Sequence, residues 1–292
     1  MTYKAPITHV TDTAFWVAAL RADETRRRDA LFQDPLSGVL AGEHGKRIAR
    51  SLSGSAATSW AVVIRTAAID RLIDLALQQG VDTVVNLGAG LDTRPYRLSL
   101  PQRLRWIEMD HPRLIEPKQS ALAGHEPACR VERLGLDLAD RASRNAALAA
   151  IGARSSRTLL IAEGVIPYWS NESVALLAQD CRSVPSFRYW ILDFDNAGRR
   201  KTPARWADRL TASPFLFHVD DWFAFFAGCG WPARDIITSA EESVRVRRPY
   251  PAASPRGVLM RALPAEMRRR ILSTSGATLL ERREEPAAAA VK

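Results

Sequence analysis

The chain has 292 residues, 47% of them hydrophobic and 25% charged, which is the composition of a soluble globular protein with its own core. The first long apolar run, 14–20, is too short to span a bilayer and lacks the basic start and cleavage site of a secretory signal. The three cysteines form no CxxC pair, so neither a disulfide framework nor a zinc site is indicated. We therefore expect a cytoplasmic protein without a bound metal.

The formal net charge of +9 and the pI near 10.0 raise the question of a polyanionic partner. Of the 41 basic residues, 36 are arginine, and they are scattered except for short clusters at 26–28, 245–248 and 268–270. Scattered charge favours a solvated surface over a contiguous basic face. We therefore expect neither a nucleic-acid partner nor a membrane, and the sequence predicts no oligomeric state.

The first sixty residues predict a helical extension over the rest of the chain. In the segment "TDTAFWVAALRADETRRRD", Thr11 or Asp12 is placed to cap a helix whose apolar residues share one face. The segment "DPLSGVLAG" is typical of a turn followed by a short helix. A third helix is predicted over 61–79, where apolar residues recur at helical spacing and Gly80 is placed to end it.

Short apolar strands then alternate with helical segments, which predicts an α/β fold with a doubly wound, mostly parallel sheet. We predict strands at 81–87, 104–109, 131–136, 158–162, 189–194, 234–238 and 257–261. No Gly-, Ser- or Pro-rich linker divides the chain, so a single domain, 1–292, is predicted. It would consist of the extension at 1–60, a core at 61–262 and a C-terminal extension at 263–292 whose tail, "EEPAAAAVK", is disordered.

The loop after the first strand, in "VVNLGAGLDTRPYRL", is the first candidate ligand site. Gly88 and Gly90 leave the backbone bare, so a ligand can approach it closely. A dinucleotide fingerprint would place a third glycine where this chain has Thr93, and Asp92 would repel a pyrophosphate. The loop therefore favours a ligand that carries an ammonium group, although a GxG pair alone also occurs in ordinary turns.

Acids follow the next three predicted strands. Asp110 is spaced to accept hydrogen bonds from both ribose hydroxyls, and Asp137 with Leu138 could meet the edge and face of an adenine. Glu163 follows the fourth strand, beside Gly164. Taken singly, each has a structural alternative: a helix cap, a turn acid beside a core leucine, or an ion pair with an arginine. Together, at one edge of a parallel sheet, they predict S-adenosylmethionine as the ligand.

The same segments resemble the leucine carboxyl methyltransferase family, whose bacterial members include O-methyltransferases of polyketide and other secondary metabolism. The resemblance covers roughly residues 10–195 and rests on "TAFWVAALRADE", "IRTAAID", "VVNLGAGLDTRPYRL", "WIEMDHPRLIEPK", "LDL" and "AEGVIPYW". It implies a class I methyltransferase (Rossmann-like) fold of seven strands and S-adenosyl-L-methionine as methyl donor. The eukaryotic members methylate the C-terminal leucine of a phosphatase subunit, and nothing in this sequence argues for that substrate.

The resemblance also implies roles for single residues. Arg65 would bind the methionine carboxylate, for which a planar guanidinium is well suited. Gly88 would lie beneath the methionine part and Glu163 near its ammonium group. By the same resemblance, Asp110 would bind ribose, Asp137 and Leu138 would contact adenine, and Tyr168 would face the acceptor. Trp16 and Phe15 are further candidates for the acceptor pocket.

We expect a methyl transfer to an oxygen, carboxyl or hydroxyl, of a small apolar or aromatic metabolite. A carboxylate acceptor needs no base, whereas a hydroxyl acceptor benefits from one. Among the histidines, His218 in "FLFHVDDW" is the most suggestive candidate for such a base. A non-catalytic S-adenosylmethionine-binding protein is an alternative. A nucleic-acid methyltransferase is disfavoured because the fourth strand is followed by "EGVIPY" rather than by an acid or amide with two prolines and an aromatic residue. A nicotinamide oxidoreductase is disfavoured by the glycine pattern.

Overall fold

A computed structural model describes residues 11–51, 56–195, 214–252 and 255–283, and it contains one seven-stranded sheet. The strands are β1 Thr83–Leu87, β2 Arg105–Asp110, β3 Arg130–Gly135, β4 Thr158–Ala162, β5 Phe187–Asp195, β6 Ala233–Thr238 and β7 Ser275–Glu281. Their order is β3-β2-β1-β4-β5-β7-β6, and only β7 runs antiparallel to its neighbours. The predicted α/β, mostly parallel, doubly wound fold is confirmed.

Helices connect the strands and cover both faces of the sheet. They are α1 Asp12–Thr25, α2 Pro35–Ser51, α3 Ala56–Gln78, α4 Arg94–Arg97, α5 Pro112–Ala121, α6 Arg141–Gly152, α7 Asn171–Ser183, α8 Trp222–Gly228, α9 Ser239–Arg245, α10 Pro255–Ala262 and α11 Ala265–Leu272. A short 3-10 helix, Ile166–Tyr168, follows β4. Among the described residues, no helix combines the length and the apolar composition needed to cross a bilayer.

The core lies on both faces of the sheet because the central strands are buried on both sides. All five residues of β1 and of β4 are buried, as expected for parallel strands covered by helices. One apolar cluster joins the sheet to α6, α7 and α8, and a second joins it to α3. Residues buried in the interior of the sheet include Trp106 and Trp190.

The point at which the sheet changes direction fixes the position of the site. β1 pairs with β2 on one side and with β4 on the other, so the connections after β1 and β4 leave in opposite directions. In such sheets ligands bind in the crevice outside the carboxyl ends of the strands at this switch point. The glycine loop after β1 and the segment after β4 meet there.

The first two helices, α1 and α2, form a lid that packs over this edge. A small apolar cluster holds them to the core and contains Ala18, Ala19, Leu40 and Ala41 of the lid together with Leu91, Leu114 and Leu122. The predicted helical extension is therefore present. Its second helix is longer than expected and is kinked at Gly42, where φ is 52° and ψ is −161°.

The last strand corrects the sequence analysis. Residues 257–261 were predicted as a strand but lie in helix α10, whereas β7 lies at Ser275–Glu281, beyond the predicted core boundary of 262. A short apolar run does not distinguish a strand from a turn of helix. In α10, Val258 and Leu259 are exposed, while β7 is buried between β5 and β6. The tail at 284–292 lies outside the described residues.

Candidate active site

A cavity of about 470 Å³ opens at the switch point, between the carboxyl edge of the sheet and α1, and we call it the donor cavity. This volume lies in the usual range for ligand pockets. Nine residues singled out from the sequence line it: Trp16, Arg65, Gly88, Gly90, Asp110, Asp137, Leu138, Glu163 and Tyr168. The structure thus brings them together, and their contacts with a ligand stay predictions.

The glycine loop takes a conformation that side chains disfavour. Gly88 has φ of 67° and Gly90 has φ of 47°, in the left-handed region. A Cβ on Gly88 would lie 2.4 Å from Cγ2 of Val165, so there is no space for a larger residue. The backbone N–H of Gly88 donates to the carbonyl of Met109 at 2.8 Å, which closes the loop over the end of β2.

Asp110 links this loop to the next strand. Its carboxylate accepts hydrogen bonds from the backbone N–H of Gly90 and of His111, both at 2.6 Å. Burial raises the pKa of Asp110, and the two N–H groups oppose that shift. Each carboxylate oxygen can accept more than one hydrogen bond, so Asp110 keeps acceptor capacity for a hydroxyl in the cavity.

Asp137 and Leu138 form the turn after β3. The Asp137 carboxylate accepts from the backbone N–H of Ala139 at 2.9 Å. The Leu138 side chain packs against the larger apolar cluster, and its carbonyl accepts from the Arg144 guanidinium. That guanidinium lies 5.7 Å from the centre of the Trp169 ring, which fixes the turn against the segment after β4.

Glu163 and Arg65 are paired with each other inside the cavity. Nε of Arg65 lies 2.9 Å from Glu163, and its Nη1 lies 3.0 Å from Asp193 at the end of β5. Glu163 also pairs with Arg94 at 2.9 Å. Burial alone would raise the pKa of Glu163, but the Arg94 and Arg65 guanidinium groups outweigh it and lower that pKa to about 2. Glu163 is therefore ionised at neutral pH.

The carboxylate of Asp92 has protein partners that the sequence did not predict. Its buried carboxylate accepts from Asn86 Nδ2 at 2.9 Å and pairs with Nη1 of Arg94 at 2.8 Å. Burial opposes ionisation, yet Arg94 holds the pKa of Asp92 well below its usual range. Arg94 is also paired with Asp70 and Glu163, so it is shared among three carboxylates. That Asp92 and the missing third glycine at Thr93 disfavour a pyrophosphate stays a prediction.

The same loop carries an ion-pair network that reaches the lid. Arg94 and Arg97 both bind Asp70 of α3, at 2.7 Å each. Thr93 Oγ1 donates to Asp34 at 2.5 Å, and Arg21 of α1 pairs with the same aspartate at 3.2 Å. Asp34 thus joins both lid helices to the loop that forms the floor of the donor cavity.

Apart from Arg65, Asp92, Thr93 and Glu163, the residues of this network were missed by sequence reasoning. Asp193 holds Arg65, and its other oxygen accepts from the backbone N–H of Gly164 at 2.8 Å. These partners come from separate segments, so no local spacing in the sequence predicts them. The one available signal was the string "DTRPYR", in which Asp92, Thr93, Arg94 and Arg97 all prove to be members.

Aromatic residues line the side of the cavity next to the lid. Tyr168 lies 5.4 Å from Phe215, measured between ring centres, and its hydroxyl is hydrogen-bonded to Thr13 of α1. Burial raises the pKa of Tyr168. Trp16 also lines the cavity.

Two other candidates for the acceptor side lie elsewhere. Phe15 does not line the donor cavity; its ring packs edge-on against His44 at 5.1 Å, in the cluster between the lid helices. His218 is exposed, and its Nε2 lies 3.0 Å from the carbonyl of Phe215. It is not among the cavity-lining residues, so the suggestion of His218 as a base is wrong for this structure.

Comparisons with known proteins identify the family of the chain. The model of the leucine carboxyl methyltransferase family matches residues 14–181. A Streptomyces coelicolor protein named as a candidate S-adenosyl-L-methionine-dependent methyltransferase is 32% identical over 251 residues, which cover 81% of this chain and 88% of that protein. A Mycobacterium avium protein with the same description is 29% identical and covers 82% and 84%.

Solved structures support the fold. A protein of the duf574 family from Streptomyces avermitilis matches with a TM-score of 0.53 at 14% identity, covering 91% of this chain and 97% of the other. A methyltransferase candidate from Thermobifida fusca matches with a TM-score of 0.53 at 15% identity, covering 91% and 94%. The chain therefore belongs to the leucine carboxyl methyltransferase family and is an S-adenosylmethionine-dependent methyltransferase.

Proposed function

We propose that the enzyme transfers the methyl group of S-adenosylmethionine to a carboxylate oxygen of a small apolar or aromatic metabolite, forming a methyl ester. The single observation that carries the choice of a carboxylate is the state of the ionisable groups around the donor cavity. Among the described residues that line it, every carboxylate accepts a hydrogen bond or an ion pair from the protein itself. None is positioned as a free base.

The charge of the donor cavity suits the donor. Four carboxylates and two guanidinium groups line it: Asp92, Asp110, Asp137 and Glu163 against Arg21 and Arg65. S-adenosylmethionine carries a sulfonium, an ammonium and a carboxylate, so it is a net cation and complements this excess of acid. The positive φ of Gly88 and Gly90 keeps the loop free of side chains where a ligand would lie closest.

We assign the donor contacts as follows. Arg65, held by Glu163 and Asp193, presents its remaining N–H groups to the methionine carboxylate, while Glu163 faces the ammonium group. Gly88 lies beneath the methionine part. Asp110 accepts from the ribose hydroxyls, and Asp137 and Leu138 contact adenine. The support is positional, because all of these residues line the donor cavity at the ends of successive strands.

Among the described residues that line the cavity, the remaining ionisable groups do not supply a base for an alcohol. Nδ1 of His111 accepts from the backbone N–H of Arg113 at 3.2 Å, where it caps α5. The phenol of Tyr168 has a raised pKa, which makes it a poorer source of a phenolate. A carboxylate acceptor is already ionised at neutral pH and needs no proton removed.

Bound S-adenosylmethionine supplies an electrophilic methyl group on a sulfonium, so the protein contributes chiefly position and shelter. The ion pairs of Arg65 fix the donor side of the cavity, and Tyr168 with Trp16 confines an apolar acceptor on the lid side. Residues of α1 line the cavity, and we assign to this helix the exclusion of water during transfer. We propose no nucleic-acid or membrane substrate.

The test is an untargeted methylation assay. The enzyme is incubated with isotopically labelled donor and an extract of the source cells, and the product that gains the methyl group is identified. A labelled ester that is lost in mild alkali supports the proposal. A label on nitrogen, on RNA or on an alkali-stable ether contradicts it.

Once an acceptor is known, the rate against pH provides an independent test. A carboxylate acceptor predicts a flat profile from about pH 6 to 9, because neither the acceptor nor the ionised Glu163 changes charge there. A rate that climbs toward the pKa of a phenol or of a base would contradict carboxylate methylation while leaving the donor site intact.

A further inference from the structure

A second surface, between β6 and β7, concentrates the positive charge of the chain. Residues 239–272 contain eight arginines and three glutamates, so this segment carries a formal charge of +5 out of the net +9. The clusters at 245–248 and 268–270, which are separate in sequence, lie on opposite sides of one groove. The sequence-based expectation of scattered charge is therefore wrong for this part of the surface.

The groove has a volume of about 830 Å³ and lies between α9, the turn at 246–250 and α11. Its apolar lining includes Val244, Tyr250 and Leu272, and Val244 is 78% exposed. Among the described residues that line it, the basic ones are Arg245, Arg247, Arg261, Arg268 and Arg269, and Glu241 is the only acid. None of its lining residues lines the donor cavity. We call it the arginine groove.

Three of these cations have no acidic partner in the part of the chain that the structure describes. The side chains of Arg247, Arg261 and Arg269 are exposed, and they form no ion pair with another described residue. Arg245, in contrast, pairs with Glu242. The unneutralised arginines give the rim a local positive potential that an anionic partner would satisfy.

The backbone at Arg247 provides an independent observation. Arg247 has φ of 52° and is the only non-glycine residue with positive φ among those described. Its N–H donates to the carbonyl of Val244 at 3.1 Å, and the N–H of Arg248 donates to that of Ser243 at 2.9 Å. This pattern ends α9 in a Schellman motif, whose left-handed position normally holds glycine. An arginine that occupies a glycine position at a cost in stability points to a function for its side chain.

We propose that the arginine groove docks an acidic amphipathic helix of a protein partner. An apolar groove with a charged rim matches a helix whose apolar face enters the groove while its carboxylates meet the arginines. A phosphate backbone would use the cations but would leave Val244, Tyr250 and Leu272 without a complementary surface. A flat membrane surface would not enter a concave groove. Charge and shape together therefore favour the helix over both.

The probe is a fluorescein-labelled peptide of about 18 residues with leucines at the i, i+3, i+4 and i+7 spacing and glutamates elsewhere. Binding to the full chain is followed by fluorescence anisotropy at low salt. We expect a dissociation constant in the micromolar range. A scrambled peptide of equal composition and a peptide with lysine in place of glutamate should each bind at least about tenfold more weakly.

Variants place the binding in the groove. Arg269→Glu and Arg247→Gly should each lower the affinity for the peptide by about fivefold or more. Arg103→Glu, which changes an exposed charge before β2, should change that affinity less than about twofold. Arg247→Gly restores the residue that the backbone favours, so weaker binding there does not arise from misfolding. Binding of S-adenosylhomocysteine should stay unchanged in all three, which separates this proposal from the donor site.

Four results would overturn the proposal. The acidic peptide fails to bind at about 1 mM, or the scrambled peptide binds as tightly as the acidic one. The variants Arg247→Gly and Arg269→Glu bind the acidic peptide as tightly as the unmodified chain, or a ligand of another class displaces it. Vesicles rich in anionic phospholipid and a single-stranded oligonucleotide are the competitors to use. Displacement by the vesicles would assign the surface to a membrane, and displacement by the oligonucleotide would assign it to a nucleic acid.

Discussion

The arginines around the donor cavity and those around the arginine groove have opposite surroundings. Arg94 is fully buried, and Asp70, Asp92 and Glu163 all lie within 2.9 Å of it. Arg247 is exposed, has no acidic partner among the described residues and occupies a backbone conformation that favours glycine. The first type of arginine holds the structure together, whereas the second weakens it slightly and stays available to a partner.

This difference gives the two regions different expected responses to mutation. A buried charge that loses its partner is costly, because the remaining charge is left in a poorly solvated environment. An exposed arginine can be removed at little cost to stability, and its loss should appear in binding instead. Changes near the donor cavity should therefore affect folding and donor binding together, and changes at the arginine groove should separate folding from partner binding.

The largest effect is expected for Arg94→Met. This change removes the cation shared by three carboxylates, and we expect the free energy of unfolding to fall by about 3–5 kcal/mol. Chemical denaturation measures it. The matched control is Arg103→Met, which removes an exposed arginine and should cost less than about 0.5 kcal/mol. Equal losses in the two variants would show that the network does not stabilise the fold.

The second effect is loss of stability in acid. Glu163 has a pKa of about 2 in the folded protein against an ordinary value of 4.5, so it contributes stability above pH 4.5 that is lost as pH falls towards 2. That shift corresponds to a contribution on the order of 3 kcal/mol. Unfolding free energies measured from pH 6 down to pH 2.5 should therefore decline, and they should decline less in Glu163→Gln. Equal slopes in the two proteins would contradict this assignment.

The third effect concerns Asp110 and is smaller. Asp110→Ala should weaken binding of S-adenosylhomocysteine by about 1.5–3 kcal/mol, because hydrogen bonds to a charged group are lost. The control is Asp140→Ala in the segment after β3. Asp140 caps α6 but does not line the donor cavity, so its loss should lower stability and leave donor binding intact. Isothermal calorimetry measures this affinity. A normal affinity of Asp110→Ala for S-adenosylhomocysteine would show that Asp110 does not bind the donor.

These residues also show which parts of the site were accessible to sequence reasoning. Asp110, Asp137 and Glu163 were found because each follows a predicted strand, and the ends of parallel strands meet at one edge. Their position in the chain therefore implies their position in space. Asp193 and Asp34 were missed, although both touch residues of the network, because ion pairs between separate segments leave no periodic signal.

The fold shows the same limit. Six strands were predicted within one or two residues, and for β1 and β4 the signal is the continuous apolar sequence of a parallel strand that is buried throughout. The seventh was placed at 257–261, and its actual segment, Ser275–Glu281, begins with serine and glycine rather than an apolar run. The arginine groove was not predicted either. Its cations come from α9, α10 and α11 and converge only once those helices have packed.

A fourth and smaller effect is expected from changing the planar guanidinium of Arg65. Arg65→Lys keeps the charge but loses the planar geometry, so S-adenosylhomocysteine should bind about 1–2 kcal/mol more weakly. Methylthioadenosine, which lacks the amino-acid part, is the matched ligand and should bind equally well to both proteins. If both ligands weaken by the same amount, the effect comes from disturbed pairing with Glu163 and Asp193 and not from a lost contact to the methionine carboxylate.

The smallest effect has the opposite sign. Because the left-handed conformation at Arg247 costs an L-residue about 1 kcal/mol, Arg247→Gly should raise the free energy of unfolding by up to that amount. Gly80, just beyond α3, has φ of 80° and provides the mirror experiment, since Gly80→Ala should lower stability by a similar amount. Thermal denaturation measures both. A stabilised Arg247→Gly that also binds the acidic peptide less tightly would show that the arginine is retained for its partner. A destabilised Arg247→Gly variant would show that Arg247 stabilises the fold, as the buried arginines near the donor cavity do.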